Sequence, residues 1–387
     1  MKKMIYALST IGLACAFNAN AIEVYKSDKN TVSIGGDVSV ILQNVDHQGT
    51  TTIEDNTSKI NFGFTHKLPD DWQVAAFFEW AINVVGKANL AIADGIIAAD
   101  EDSDYLTNRQ GYIQVSHDTY GSLTLGKQWG VWYDVVGPTD NEEVWGGEAT
   151  GAYTYDGDGG VDGTGRADKA IVYRNQFGQI SIGLQAQLKQ DSFQTETNIF
   201  DDQPVAATEV NFNDSYGASI AYAFNQNLSV TAGFNHAEFE AATGSVTYFS
   251  DTDYIYGIGV AYGQWGNDGW YAAASINKNQ YHELDNVGRL IPESKALSTL
   301  FYYQFDNGLR PIFSYDVVDA DDSYSALYNG DDFVKKLAIV GLHYVWDEST
   351  LLFIEGRLDY SDFDGSQETA SKAVDADAIA LGIEYDF

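Results

Sequence analysis

The sequence predicts an all-β protein, a closed antiparallel barrel of sixteen strands that crosses a membrane. Three observations carry the prediction. Alternating segments of about ten residues recur along the chain, the last of them ends on an aromatic, and an export leader precedes a sequence with no spanning-length apolar run. Over residues 377–387, Ile379, Leu381, Ile383, Tyr385 and Phe387 fall on one strand face, and Ala378, Ala380, Gly382, Glu384 and Asp386 on the other. A soluble sandwich tends to end on a frayed polar terminus, whereas a strand sealed by Phe387 fits a lipid-facing wall.

The elements follow in chain order. Lys2 and Lys3 precede an apolar run over 5–17, and Ala19-Asn20-Ala21 supplies small residues for cleavage, so 1–21 reads as a signal peptide and 22–387 as the barrel domain. A lipoprotein signal at Cys15 is the weaker alternative, because Gly12 stands where a larger aliphatic is wanted. The remainder lacks the roughly 20 consecutive apolar residues of a spanning helix, and a chain that crosses a bilayer without helices must close its sheet to pair every backbone group.

Segments 31–44, 58–67 and 72–82 open the wall. Val32, Ile34, Val38, Val40 and Leu42 oppose Ser33, Asp37, Ser39 and Gln43; Ile60, Phe62 and Phe64 oppose Lys59, Asn61 and Thr65; Trp72, Val74, Phe78 and Trp80 oppose Gln73 and Glu79. Such polar faces predict a wet interior. Segment 108–117 departs from this, since an inward Arg109 draws Ile113 and Val115 inward and turns Gln110 and Gln114 outward, as a polar contact between subunits would require. Segments 121–128, 169–175, 179–189, 214–223, 228–239, 252–262, 269–278, 295–305, 309–317, 335–345, 350–360 and 375–387 complete the set. Tight-turn chemistry such as Pro69-Asp70-Asp71, Phe177-Gly178 and Asp306-Asn307-Gly308 joins some neighbours, and long polar connections such as 83–107, 129–168, 190–213 and 279–294 join others. Long loops on one rim and short turns on the other are the pattern of an outer-membrane barrel.

Composition narrows the function. A formal charge of −35 excludes nucleic acid as a partner, and 14% aromatic residues with only 5 prolines distinguish the chain from a disordered acidic tail. The 6 histidines lack metal-ligand spacing, and no Gly-x-Ser-x-Gly occurs, so an outer-membrane enzyme is disfavoured and no cofactor is expected. Asp156, Asp158 and Asp162 in a Gly-rich stretch invite a calcium reading, but Gly160 and the missing closing glutamate favour a solvated acidic loop. Lys127 shares a face with Leu123 and Leu125, which favours a loop-latching or subunit-contact role.

The chain resembles the general diffusion porins of Gram-negative outer membranes over essentially its whole mature length. The resemblance is strongest at Glu23-Val24-Tyr25 with Asn30, at Lys59-Ile60-Asn61-Phe62-Gly63 leading to Glu79, over 120–140 followed by Gly146-Gly147, and at Val172-Tyr173-Arg174-Asn175 with Gly165-Arg166 upstream. It implies a homotrimer with its third loop folded into the pore, embedded in outer-membrane lipid and lipopolysaccharide and delivered by the outer-membrane insertion machinery, which reads a terminal aromatic such as Phe387. It further implies a constriction with basic Lys59, Arg109 and Arg166, a wall carboxylate at Glu79 and a loop acid at Asp140. Two departures stand out: Asp37 replaces a basic residue, and Glu142-Glu143-Val144-Trp145 replaces a proline-acid-aromatic, leaving open which glutamate faces the lumen. The resemblance implies passive diffusion of small hydrophilic solutes, and the excess of acids in this loop predicts a preference for cations. The alternative is a sugar-selective pore for oligosaccharides such as chitooligosaccharides, with Trp129, Trp132, Tyr133 and Trp145, joined by Tyr153 and Tyr155, stacking on pyranose rings, although packing of the loop on the wall is the favoured use of these aromatics.

Overall fold

A computed structural model describes residues 21–46, 49–86, 90–93, 96–99, 106–154, 157–188, 191–195, 208–243, 246–374 and 377–387; the leader, Tyr155 and Asp156 lie outside this set. Its main sheet has 20 strands, of which 16 form the closed wall. They are β1 (Asn30–Val45), β2 (Lys59–Lys67), β3 (Trp72–Ile82), β4 (Leu106–His117), β5 (Gly121–Trp129), β6 (Arg166–Phe177), β7 (Ile180–Gln187), β8 (Thr208–Asn225), β9 (Leu228–Thr243), β10 (Val246–Tyr262), β11 (Gly269–Gln280), β12 (Glu293–Gln304), β13 (Leu309–Ala320), β14 (Asp332–Val345), β15 (Thr350–Asp359) and β16 (Ala378–Asp386). Each pairs antiparallel with the next, and β16 closes on β1 from Ala378 opposite Val45 to Asp386 opposite Asp37. Gly36 and Phe387 then exchange backbone hydrogen bonds of 3.0 and 2.9 Å, so the terminal aromatic is part of the seam.

The alternation decides which side chains meet lipid. Ile379, Leu381, Ile383 and Tyr385 are about half exposed on the outer surface, while Ala380, Ser39, Asn61 and Glu79 are buried on the inner one. Exposed Leu184, Ile220, Ile258, Ile276 and Val340 continue the outer apolar band, which only hydrocarbon can cover.

Strand β4 obeys the rule after all. Glu79 pairs with Gln110 but Trp80 pairs with Asn108, so Arg109 is the extra residue of a β-bulge. The bulge resets the period. Gln114 is buried and donates to Thr124 at 3.0 Å, while Ile113 is 49% exposed, which removes the need for an outward polar contact at those glutamines.

The connection expected over 190–213 is partly strand. Asp191–Thr195 pairs with the start of β8, and β8, β9 and β10 rise beyond their neighbours as a tall sheet. The inner face of this extension carries Val210, Phe212, Ala237 and Phe239, packed on Val161, Leu284 and Leu290. Apolar packing therefore holds up a region whose sequence is polar on average.

Candidate pore constriction

The third loop, between β5 and β6, turns inward at a neck where Gly130 donates to the Gly165 carbonyl at 2.7 Å. Its first element is α1 (Tyr133–Val136), followed by a 3-10 turn at Gly137–Thr139. This stretch lies directly on the wall. A Cβ on Gly259 would stand 2.2 Å from the Val135 carbonyl oxygen, and one on Gly233 would stand 2.8 Å from the Val135 side chain, so bare backbone is what lets the helix press that close. Asp134 is paired with Arg174 at 3.0 Å, and Tyr271 donates to the Pro138 carbonyl at 2.7 Å.

The tip reaches β15 and β1. Backbone N–H groups of Glu143 and Val144 donate to the two oxygens of Glu355 at 2.9 and 3.1 Å, and His343 lies 2.8 Å from the same carboxylate. Asn56 donates to the Glu143 carbonyl at 2.8 Å. Trp145 packs with Ile41, Ile339, Phe353 and Ala380, with the Arg357 guanidinium 5.7 Å from its ring. On the way back, Asn277 donates to the Ala149 carbonyl, Asn235 to the Asp162 carbonyl and Gln185 to the Gly163 carbonyl, so the loop is stitched to the inner wall along its length.

The inward side chains of β1 to β4 face α1 from the opposite side of the barrel. Lys59 is ion-paired with Asp37, its register neighbour across β1 and β2. Arg109 donates to Glu79 at 3.0 Å, and Gln110 donates to the same oxygen at 3.2 Å. The two cations are thus met by acids of their own wall. Glu384 and Asp386, on the inner face of β16 beside Ser39 and Asp37, add carboxylates that the alternation of the last strand already placed inside. Arg166 is 5.3 Å from the Trp129 ring centroid, 6.0 Å from that of Tyr153 and 3.7 Å from Asp158, within electrostatic reach of Arg109 and Glu79.

The loop acids occupy three environments. Asp140 accepts hydrogen bonds from Tyr133 at 2.9 Å and from Tyr153, and burial raises its carboxyl even though both hydroxyls and Arg166 favour the charge. Burial, then the charge of Asp316, pushes Glu142 well above the ordinary carboxylate range. Burial also pushes Glu143 well up, with Glu384 and Glu355 adding to the shift while Arg310 and Lys59 oppose it. Glu143 therefore sits on the side of Lys59 and β16, and Glu142 on the side of β13. Sequence reasoning missed Glu355 and Asp316; their inward positions were legible in the strand period, but their proximity to the loop was not.

Two of the loop aromatics serve packing. Trp132 is fully buried beneath the loop, with its indole N–H donating to the Thr150 carbonyl at 2.9 Å, and Trp145 is 6% exposed. Neither offers a ring face to a solute, because both are spent on packing the loop to the wall. Trp129 is stacked on Tyr133 at 3.8 Å with Arg166 also over its ring.

Over its described residues 157–162, the acidic Gly-rich stretch is packed rather than solvated. Lys127 reaches Asp158 at 2.7 Å and Asp168 at 3.0 Å, a loop latch, while Asp162 is fully buried and accepts from Thr154 and Thr164. Asp162, Asp253 and His282 lie close enough to hold a metal, but both ring nitrogens of His282 are committed. Nδ1 is 2.6 Å from Asp253 and Nε2 is 2.8 Å from the Gly151 carbonyl, an acceptor only, so the ring donates at both ends and has no lone pair for a cation. Burial opposes the charge on this imidazole, but Asp253 and Asp162 outweigh it and push the pKa to about 10.

The family model described as Gram-negative porin matches residues 7–387. Outer membrane protein S2 of Salmonella typhi is 25% identical over 421 aligned residues, and outer membrane porin C of Salmonella typhimurium is 26% identical over 416, each covering 100% of both chains. Among solved structures, the OmpF of Salmonella typhi in complex with daunomycin superposes with a TM-score of 0.68 at 22% identity, covering 95% of this chain and 100% of that one. An anion-selective porin from Comamonas acidovorans superposes with a TM-score of 0.63 at 14% identity, covering 93% of this chain and 100% of that one.

Proposed function

This chain belongs to the Gram-negative porin family, and from its placement as an outer-membrane porin we propose that it forms a cation-preferring constriction between the third loop and the wall of β1 to β4. The fold alone leaves the sign of the preference open, since an anion-selective porin shares it. One observation carries the proposal: Lys59 and Arg109 are already matched by Asp37 and Glu79, so Glu384, Asp386, Asp140 and Glu143 are left as an excess of carboxylates around the opening. Low-dielectric walls focus that negative potential into the aqueous path, concentrating cations and repelling anions. The channel within each barrel passes ions and small hydrophilic solutes passively, and three such barrels assemble side by side.

The test is the reversal potential of the purified protein in planar bilayers under a KCl gradient. We expect a potential of cationic sign that falls when Asp140→Asn is combined with Glu143→Gln, and no change for Asp364→Asn on the exposed outer rim. A neutral or anionic wild-type potential overturns the proposal. Because burial raises the Glu143 carboxyl above the ordinary carboxylate range, the preference should grow as pH rises through and above that range. Titration with maltooligosaccharides or chitooligosaccharides in the same bilayers tests the sugar-selective reading, which requires solute-dependent current blockades.

A further inference from the structure

We propose that a hard divalent cation, with calcium as the best match, binds between Glu142 of the third loop and Asp316 of β13, bridging the loop to the wall behind the constriction. The site is built of oxygen. Asp316 is 1% exposed, and among the described residues neither of its carboxylate oxygens has a well-aligned hydrogen-bond partner, with Ser298 and the Thr299 backbone standing nearest. Ser298 is its register partner on β12, and Ser314 lies two residues along the same inner face of β13. Both serines are fully buried, and among the described residues neither hydroxyl has a well-aligned partner, Ser298 standing beside Asp316 and Ser314 beside Glu142. Glu142 Oε1 is buried and unpartnered as well, and Ser314 stands beside this carboxylate.

Asp140 closes one side. A Cβ on Gly146 would lie 2.7 Å from Glu142 Oε2 and 2.9 Å from Asp140 Oδ1, so the loop carboxylates converge over a glycine. The basic group on the Asp316 side is Lys335, which also reaches Glu148 at 3.9 Å. One ammonium placed between those acids does not compensate Glu142 and Asp316 together, and burying two facing carboxylates without positive charge is expensive. An all-oxygen set of carboxylates and hydroxyls suits calcium, which accepts irregular geometry with added water; magnesium demands closer to ideal octahedral order.

The inference rests on the third loop lying against the wall, and its test reads binding separately from selectivity. Calorimetric titration of CaCl2 into the purified full-length protein in detergent, after removal of divalent ions, should show a saturable site with Kd of about 0.1–1 mM, the range of extracellular oxygen-ligand sites. Asp316→Asn and Glu142→Gln should each weaken it by tenfold or more, while Asp364→Asn leaves it unchanged. Heat-resistant oligomer on gels verifies that each variant has folded. Absence of saturable binding, or equal binding in Asp316→Asn, overturns the site. A proton shared by the two carboxylates is the rival, and proton uptake near neutrality that Asp316→Asn abolishes, with no calcium binding, would also overturn it. The cationic reversal potential can survive either of these results, so the two proposals fail independently.

Discussion

Lys59 and Arg109 are joined to carboxylates on their own wall, so removing either cation uncovers a negative charge that is already inside the pore. Lys59→Ala or Arg109→Ala should therefore raise the cation-to-anion permeability ratio by a factor of roughly two to five, the scale of up to about 1 kcal/mol for a solvated ion pair. An unchanged or lowered ratio in bilayer recordings would show that the pairs lie off the ion path. His282 makes a prediction of a different kind. Its pKa in the folded protein is raised above the ordinary value of about 6.5, so its stabilisation is complete below that pH and is lost as pH rises through about 10. Heat-denaturation midpoints measured from pH 7 to 11 should fall more steeply for the wild type than for His282→Gln, and parallel curves would refute the charged assignment.

At the scale of elements, the seating of α1 depends on glycines in the wall beneath it. Gly259→Ala would put a methyl group 2.2 Å from the Val135 carbonyl, a backbone atom that cannot rotate away, so the loop must retreat toward the lumen. We expect a correctly folded oligomer with reduced single-channel conductance; wild-type conductance would mean that the loop yields in another direction. The closing strand carries a separate signal. Phe387 bonds across the seam to Gly36 and stacks on Tyr385 at the outer surface, so its deletion should cut the amount of heat-resistant oligomer in cells severalfold. Conductance of the channels that do form should stay near normal, and undiminished oligomer would remove any assembly role for this residue.

Across the whole molecule, the outer loops form a second packed layer. Arg289 binds Asp285 at 2.8 Å and Asp331 at 2.9 Å, donates to Tyr324 and lies 4.3 Å from the Tyr328 ring, while Asp331 also accepts from Ser366. One guanidinium thus ties the loops that follow β11, β13 and β15. Removing one partner of a buried pair costs about 3–5 kcal/mol, so Arg289→Met should open these loops to added protease on intact cells while the barrel itself stays heat-resistant. Equal protection of wild type and variant would show that the cap is held elsewhere. The formal charge of −35 acts at the same scale, and the cationic reversal potential should weaken between 0.1 and 1 M salt as the screening length falls from about 10 to about 3 Å.

The sequence by itself determined the barrel, its strand number, its inner and outer faces and its closing aromatic. These follow from a period of two repeated along the chain, a local property that each strand carries alone. Membership of the porin family was equally legible, in motifs such as those around Lys59 and over 120–140. The tertiary structure decided where the charges act. The bulge at Arg109 shifts a face by one residue, and a sequence pattern does not mark an extra residue in a ladder. Lys59 was recognisable as an inward cation, but its pairing with Asp37 depends on the register of β1 against β2. Trp132 and Trp145 were open to either packing or sugar stacking until the fold buried them, and Glu142 parted from Glu143 only because the loop tip lies between β13 and β15. Contacts between residues far apart in the chain depend on closure and on loop packing, which no local pattern encodes.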